Sequence, residues 1–60
     1  KMYKITRVVP IICVFNQIEA KVSDVIESLQ DYEILIEIKY CSSEILKGYK
    51  EVYCHIGKVI

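Results

Sequence analysis

Cys54 and His55 stand side by side and form the only adjacent cysteine–histidine pair in the chain. On a strand, neighbouring residues point to opposite faces, so one ion cannot reach both without a bulge. Zinc sites repeat their ligands at short spacing, as in C-x₂-C, and no such repeat exists here. No metal ligand set and no cofactor are expected. Cys41 and His55 could share a face as nucleophile and base. The chain, however, has no nucleophile elbow and no phosphate-binding glycine loop. It also leaves little room for a pocket of ~300 Å³ or more. No catalytic residue is assigned, and the expectation is a protein that is not an enzyme.

The remaining polar side chains have plainer readings. Glu33 and Glu37, with Lys39 beside them, suit a solvated strand face with cross-strand partners such as Lys50 or Lys58. Glu19, Asp24 and Glu27 read as ordinary solvent-face charges of a helix, although Asp24, Glu27 and Asp31 make that side acidic, a hint of DNA mimicry. Tyr3, Tyr32, Tyr40, Tyr49 and Tyr53 could stack bases from a sheet. Against that, Lys plus Arg (8) balance Asp plus Glu (8), and an RNP1 pattern is missing. Tyrosine is equally at home in protein interfaces, and that reading is preferred over nucleic acid.

These groups must be positioned by a small framework. With 60 residues, 53% of them hydrophobic, the chain is one folded domain over residues 1–60. A domain of this size buries only about 60% of its unfolded surface and commonly needs a disulfide, a metal or a second chain. Cys13, Cys41 and Cys54 are an odd, widely spaced set, which fits reduced core residues better than a disulfide framework. Lys1 reads as an added residue ahead of a natural start at Met2. The run from Val8 to Phe15 is too short and too proline-interrupted for a signal peptide, and PIIC is not a lipid-attachment sequence. No stretch approaches the ~20 apolar residues of a membrane span. A cytoplasmic protein without membrane attachment is expected.

Met2 to Phe15 reads as strand, rich in Ile, Val, Tyr and Thr. Tyr3, Ile5, Val9, Ile11, Cys13 and Phe15 share one face, with Arg7 the exception, while Val8, Ile12 and Val14 populate the other. Pro10 cannot donate to a ladder, which predicts a break or bulge there, with pieces near residues 3–9 and 11–15. Asn16 with Glu19 suggests a capping box. Ile18, Val22, Val25, Ile26 and Leu29 then give an amphipathic helix of about four turns; Ser23-Asp24 offers a later start.

In Glu33–Cys41, Ile34, Ile36, Ile38 and Tyr40 alternate with Leu35 and the charged residues, marking a strand with one buried face. Ser42 to Gly48 connects, with one helical turn capped by Ser43 as an option and Gly48 suited to a left-handed residue. Tyr49 to Ile60 alternates again, with Val52, Cys54, Ile56 and Ile60 facing one way and Tyr53, His55 and Val59 the other.

The predicted fold is α+β, strand–helix–strand–strand. Its one amphipathic helix covers one face of a mixed sheet of three or four strands, the first two parallel across a right-handed crossover. Nothing in the chain covers the other face. Val8, Ile12, Val14, Leu35, Tyr53 and Val59 are the candidate interface there. A second copy is the simplest cover, so a homo-oligomer, with a dimer favoured, is expected, joined by that face or by a strand edge. Another protein is the other class of partner; a nucleic-acid or small-ligand binder using the tyrosines is the alternative.

The segments KVSDVIESL, EILIEIKYCSS and KEVYCHIGKVI, over Ile11 to Ile60, resemble a family of small proteins expressed during sporulation in Firmicutes. Met2–Pro10 is an additional segment relative to that pattern. The resemblance implies a strand, an acidic helix and two further strands, and it brings no activity or site residues. A phage-encoded protein from hosts of similar composition fits equally.

Overall fold

The computed structural model describes residues 2–41 and 44–60; the readings of Lys1 and of a turn capped by Ser43 lie outside them. Strand β1 (Tyr3–Val14) runs into a 3₁₀ turn (Phe15–Gln17) and helix α1 (Ile18–Glu27). Strands β2 (Ile34–Tyr40) and β3 (Tyr49–Val59) follow. One helix and three strands in this order make a small α+β domain.

The sheet order is β1-β3-β2, and both ladders are antiparallel. β1 and β2 therefore run the same way, as a strand–helix–strand unit leads one to expect. They are not neighbours, because β3 inserts between them, and the sheet is antiparallel rather than mixed. β3 consequently has a partner on both sides and supplies the most buried residues: Val52, Cys54 and Ile56 are 0% exposed. Ile11, Cys13 and Ile18 complete the buried core, with Val9, Val22, Val25, Leu35 and Ile38 packed against it.

Pro10 does not break β1. The strand is continuous through it, with Pro10 opposite Tyr53. Its position explains the tolerance: β1 is an edge strand, where a missing N–H need not cost a ladder bond. The irregularity lies earlier, between Ile5 and Arg7, with Thr6 the extra residue. β2 carries a matching irregularity between Leu35 and Glu37. Each bulge shifts the alternation by one.

Both bulges flank Gly57, which pairs with Ile5 on one side and Ile34 on the other. A Cβ there would lie 2.0 Å from the Lys4 carbonyl oxygen and 2.6 Å from Ile36 Cδ1. Only glycine fits this approach.

The helix is shorter than its pattern suggested. Asn16 lies inside the 3₁₀ turn, Gln17 occupies the N-cap position, and no side chain caps it. The expected capping box with Glu19 is not formed, because the chain enters the helix through 3₁₀ geometry. Ser23-Asp24 is helix interior. At the other end, Ser28 stops the helix, its Oγ donating to the Val25 carbonyl at 2.7 Å. α1 rests on β1 and β3, so Ile26 and Phe15, read as core, remain exposed beside an open groove toward β2. The β2–β3 connection closes with Tyr49 N–H donating to Leu46 O at 2.8 Å. Gly48 sits there at φ 82°, the positive value expected at the third residue of a type II turn.

Candidate functional site

Directly opposed residues of a ladder share a face, so register defines the side of the sheet that α1 leaves uncovered. Val8, His55 and Glu37 form one row across it; Pro10, Tyr53 and Lys39 form the next. Ile12 lies opposite Glu51, Val14 opposite Tyr49, and Tyr3 opposite Val59. The β1 half of this face is apolar, with Ile12 at 56% and Val8 at 45% exposure. The β2 half is charged, carrying Glu37 and Lys39.

Five of the six residues expected on this face are there: Val8, Ile12, Val14, Tyr53 and Val59. Leu35 is not. The β2 bulge turns it to the helix side, where it is half-buried against the core opposite Ile56. The bulges also bring Tyr3, Ile5 and Ile34 onto the uncovered face, away from the side their parity suggested. All three are exposed.

A polar cluster sits at one end. Glu51 accepts a hydrogen bond from the Cys41 thiol, Sγ to Oε1 at 3.3 Å, and a second on Oε2 from the Tyr53 hydroxyl. The carboxylate holds both donors protonated: through that hydrogen bond first, then burial, the pKa values of Cys41 and Tyr53 are raised above their ordinary values. A thiol so placed is the reverse of an activated nucleophile. His55 does share the face of Cys41, but Cys41 lies beside Glu51, four residues along β3, or about 13 Å at strand spacing. Nor do Cys54 and His55 converge. Cys54 points into the core, where burial raises its thiol pKa, whereas His55 lies on the opposite face. Among the described residues, no three His, Cys, Asp or Glu side chains cluster to hold a metal ion. The Nδ1 atom of His55 is buried with no hydrogen-bond partner among them.

Glu33 and Glu37 do not act as a pair. Glu33 takes a bidentate bond from Arg7, at 2.9 Å from Nε and 2.8 Å from Nη2, and accepts the Gln30 N–H at 2.9 Å. Its pKa falls to about 2, chiefly through the Arg7 hydrogen bond and then that of Gln30. Lys50 or Lys58 is therefore not the partner of Glu33. Arg7 lies opposite Ile56, so the ion pair lies on the helix side and ties edge strand β1 to the segment entering β2.

Between α1 and β2 lies a groove of about 420 Å³, more room than the short chain led one to expect, because α1 rests on β1 and β3 and leaves β2 uncovered; Phe15, Ile18, Val22, Ile26, Ile38 and Tyr40 line it with Glu19 and Ser23. No helix among the described residues is long and apolar enough to cross a membrane. No family model matches the chain, and no curated protein or solved structure matches it either.

Proposed function

We propose that this chain is a protein-interaction domain that acts as a homodimer, two copies packing through their helix-free sheet faces. The observation that carries the reading is the run of exposed apolar residues on that face, from Tyr3 through Val8 to Ile12. Exposed patches of a few hundred Å² on a small domain commonly mark interaction surfaces. Strands of 12, 7 and 11 residues, at about 3.3 Å per residue and about 4.8 Å between strands, outline a face of roughly 500 Å², the size of an interaction patch and the low end of what a partner gives to an interface.

The strand edges are the poorer route. β1 carries a bulge and Pro10, and β2 carries a bulge and Lys39. Bulges, proline and lysine are the devices that discourage edge-to-edge pairing. Nucleic acid is the rival occupant of the same face. Glu37 and Glu51 stand on it and would oppose phosphate, and Arg7 is engaged by Glu33 on the other side.

Light scattering on a sizing column, over a range of concentrations, tests the proposal. The expected mass is twice the 7.0 kDa of one chain. Ile12→Asp, a change at an exposed position, is expected to give a folded monomer. A folded wild-type monomer at every concentration, or an Ile12→Asp chain that dimerises unchanged, would overturn it.

A further inference from the structure

The residues of the uncovered face are arranged so that they complement themselves about one axis. The middle residue of β3 (Tyr49–Val59) is Cys54, whose ladder neighbours are Val9 and Ile38. This row points toward the helix. The two rows beside it on the uncovered face are Val8–His55–Glu37 and Pro10–Tyr53–Lys39.

We infer that the dimer's two-fold axis lies across the strands along the Val9–Cys54–Ile38 row, setting Glu37 of each copy against Lys39 of the other. The inference rests on the self-association proposed above and fixes its geometry. A two-fold axis in that place superposes each strand on its own copy, running antiparallel, and brings the two rows onto each other. Val8 meets Pro10, His55 meets Tyr53, and Glu37 meets Lys39. Apolar lies on apolar, ring on ring, and anion on cation.

Stacked sheets are about 10 Å apart with strand directions within about 30°, a gap that two long charged side chains can bridge from opposite sides. The axis also gives the largest overlap, because it passes through the centre of β3 and within one residue of the centre of β1.

The competing two-fold axis, along β3, fails on electrostatics. It would lay β1 over β2, pressing Val8 onto Glu37 and Pro10 onto Lys39. Charges buried against apolar surface without partners are costly. In the inferred arrangement Glu51 is the remaining buried-side carboxylate. It arrives already holding the Cys41 and Tyr53 hydrogens, which satisfy both its oxygens where it faces the Ile5–Gly57–Ile34 row, with the Ile36 side chain over the glycine.

Charge reversal tests the axis directly. Sedimentation equilibrium is run on the wild-type chain, on Glu37→Lys, on Lys39→Glu and on the double reversal Glu37→Lys/Lys39→Glu. Circular dichroism reports whether each variant is folded. Both single variants place like charges opposite one another twice, so their dissociation constants are expected to rise roughly tenfold or more. The double reversal restores both pairs and returns dimerisation to within about threefold of wild type. A wild-type dimer with unaffected single variants, or with no recovery in the double reversal, would overturn the axis while leaving self-association standing. A wild-type monomer would overturn the underlying reading, and the axis with it.

Discussion

At the residue scale, the Glu51 carboxylate governs the chemistry of two neighbours. It keeps the Cys41 thiol and the Tyr53 phenol protonated by accepting from both. Replacing it with glutamine removes the charge that disfavours their anions. Glu51→Gln is therefore expected to lower the Cys41 pKa toward its ordinary 9.0. Iodoacetamide labelling of Cys41 across pH 7–10, against a Cys41→Ser control, should show its alkylation profile displaced to lower pH. An unchanged profile would mean that Glu51 does not control the thiol. The linkage sign follows from the raised values: each hydrogen bond supports the fold fully below the ordinary range of its donor, thiol or phenol, and is lost as pH climbs through the raised value.

At the scale of the element, the two bulges decide which side chains go where. In β1 the odd-numbered positions are apolar except Arg7; in β2 the position out of pattern is Leu35, an apolar residue among charged ones. Each exception lies beside the point where the alternation slips, between Ile5 and Arg7 and between Leu35 and Glu37. Read as phase changes, they would have moved Tyr3 and Ile5 to the uncovered face and Leu35 to the core. The strand order along the chain, the helix and the buried parity of Val52, Cys54 and Ile56 were legible because long periodic patterns record burial directly. The order across the sheet was not, because periodicity says nothing about which strand takes the middle. Nor was the bidentate Arg7–Glu33 pair, whose members lie 26 residues apart.

Gly57 is where the two bulges need one another. Its missing side chain lets the Lys4 carbonyl and the Ile36 side chain approach from either side. Gly57→Ala forces a shift in β1 backbone rather than a rotamer change. It is expected to destabilise the fold by about 3 kcal/mol, read as a lower urea midpoint at unchanged slope. A midpoint within error of wild type would show that β1 can move away freely.

At the scale of the whole molecule, a tie between its parts gives stability an acid dependence. Arg7 and Glu33 join an edge strand to the segment between α1 and β2. The Glu33 pKa is depressed from 4.5 to about 2, so its contribution is present above its ordinary range and lost as pH falls through about 2. Urea unfolding at several pH values should show wild-type stability declining over that window and Glu33→Gln declining less steeply. Parallel curves would remove the ion pair from the account.

The central position of β3 has a further consequence, for the order of events on the ribosome. β1 and β2 pair with β3 alone, and β3 is the last of the three to be synthesised. Until Tyr49 and its successors emerge, β1 and β2 have no ladder to join, and their apolar residues wait in an incomplete chain. The β2–β3 hairpin can close locally, from Tyr40 opposite Val52, but the β1–β3 ladder must close a long loop, from Val14 opposite Tyr49 to Tyr3 opposite Val59. Folding dominated by such distant contacts is slow, and its unpaired strands are prone to aggregate meanwhile. The domain thus completes its sheet only after β3 has emerged, and a nascent chain stalled before β3 is the form a chaperone would meet.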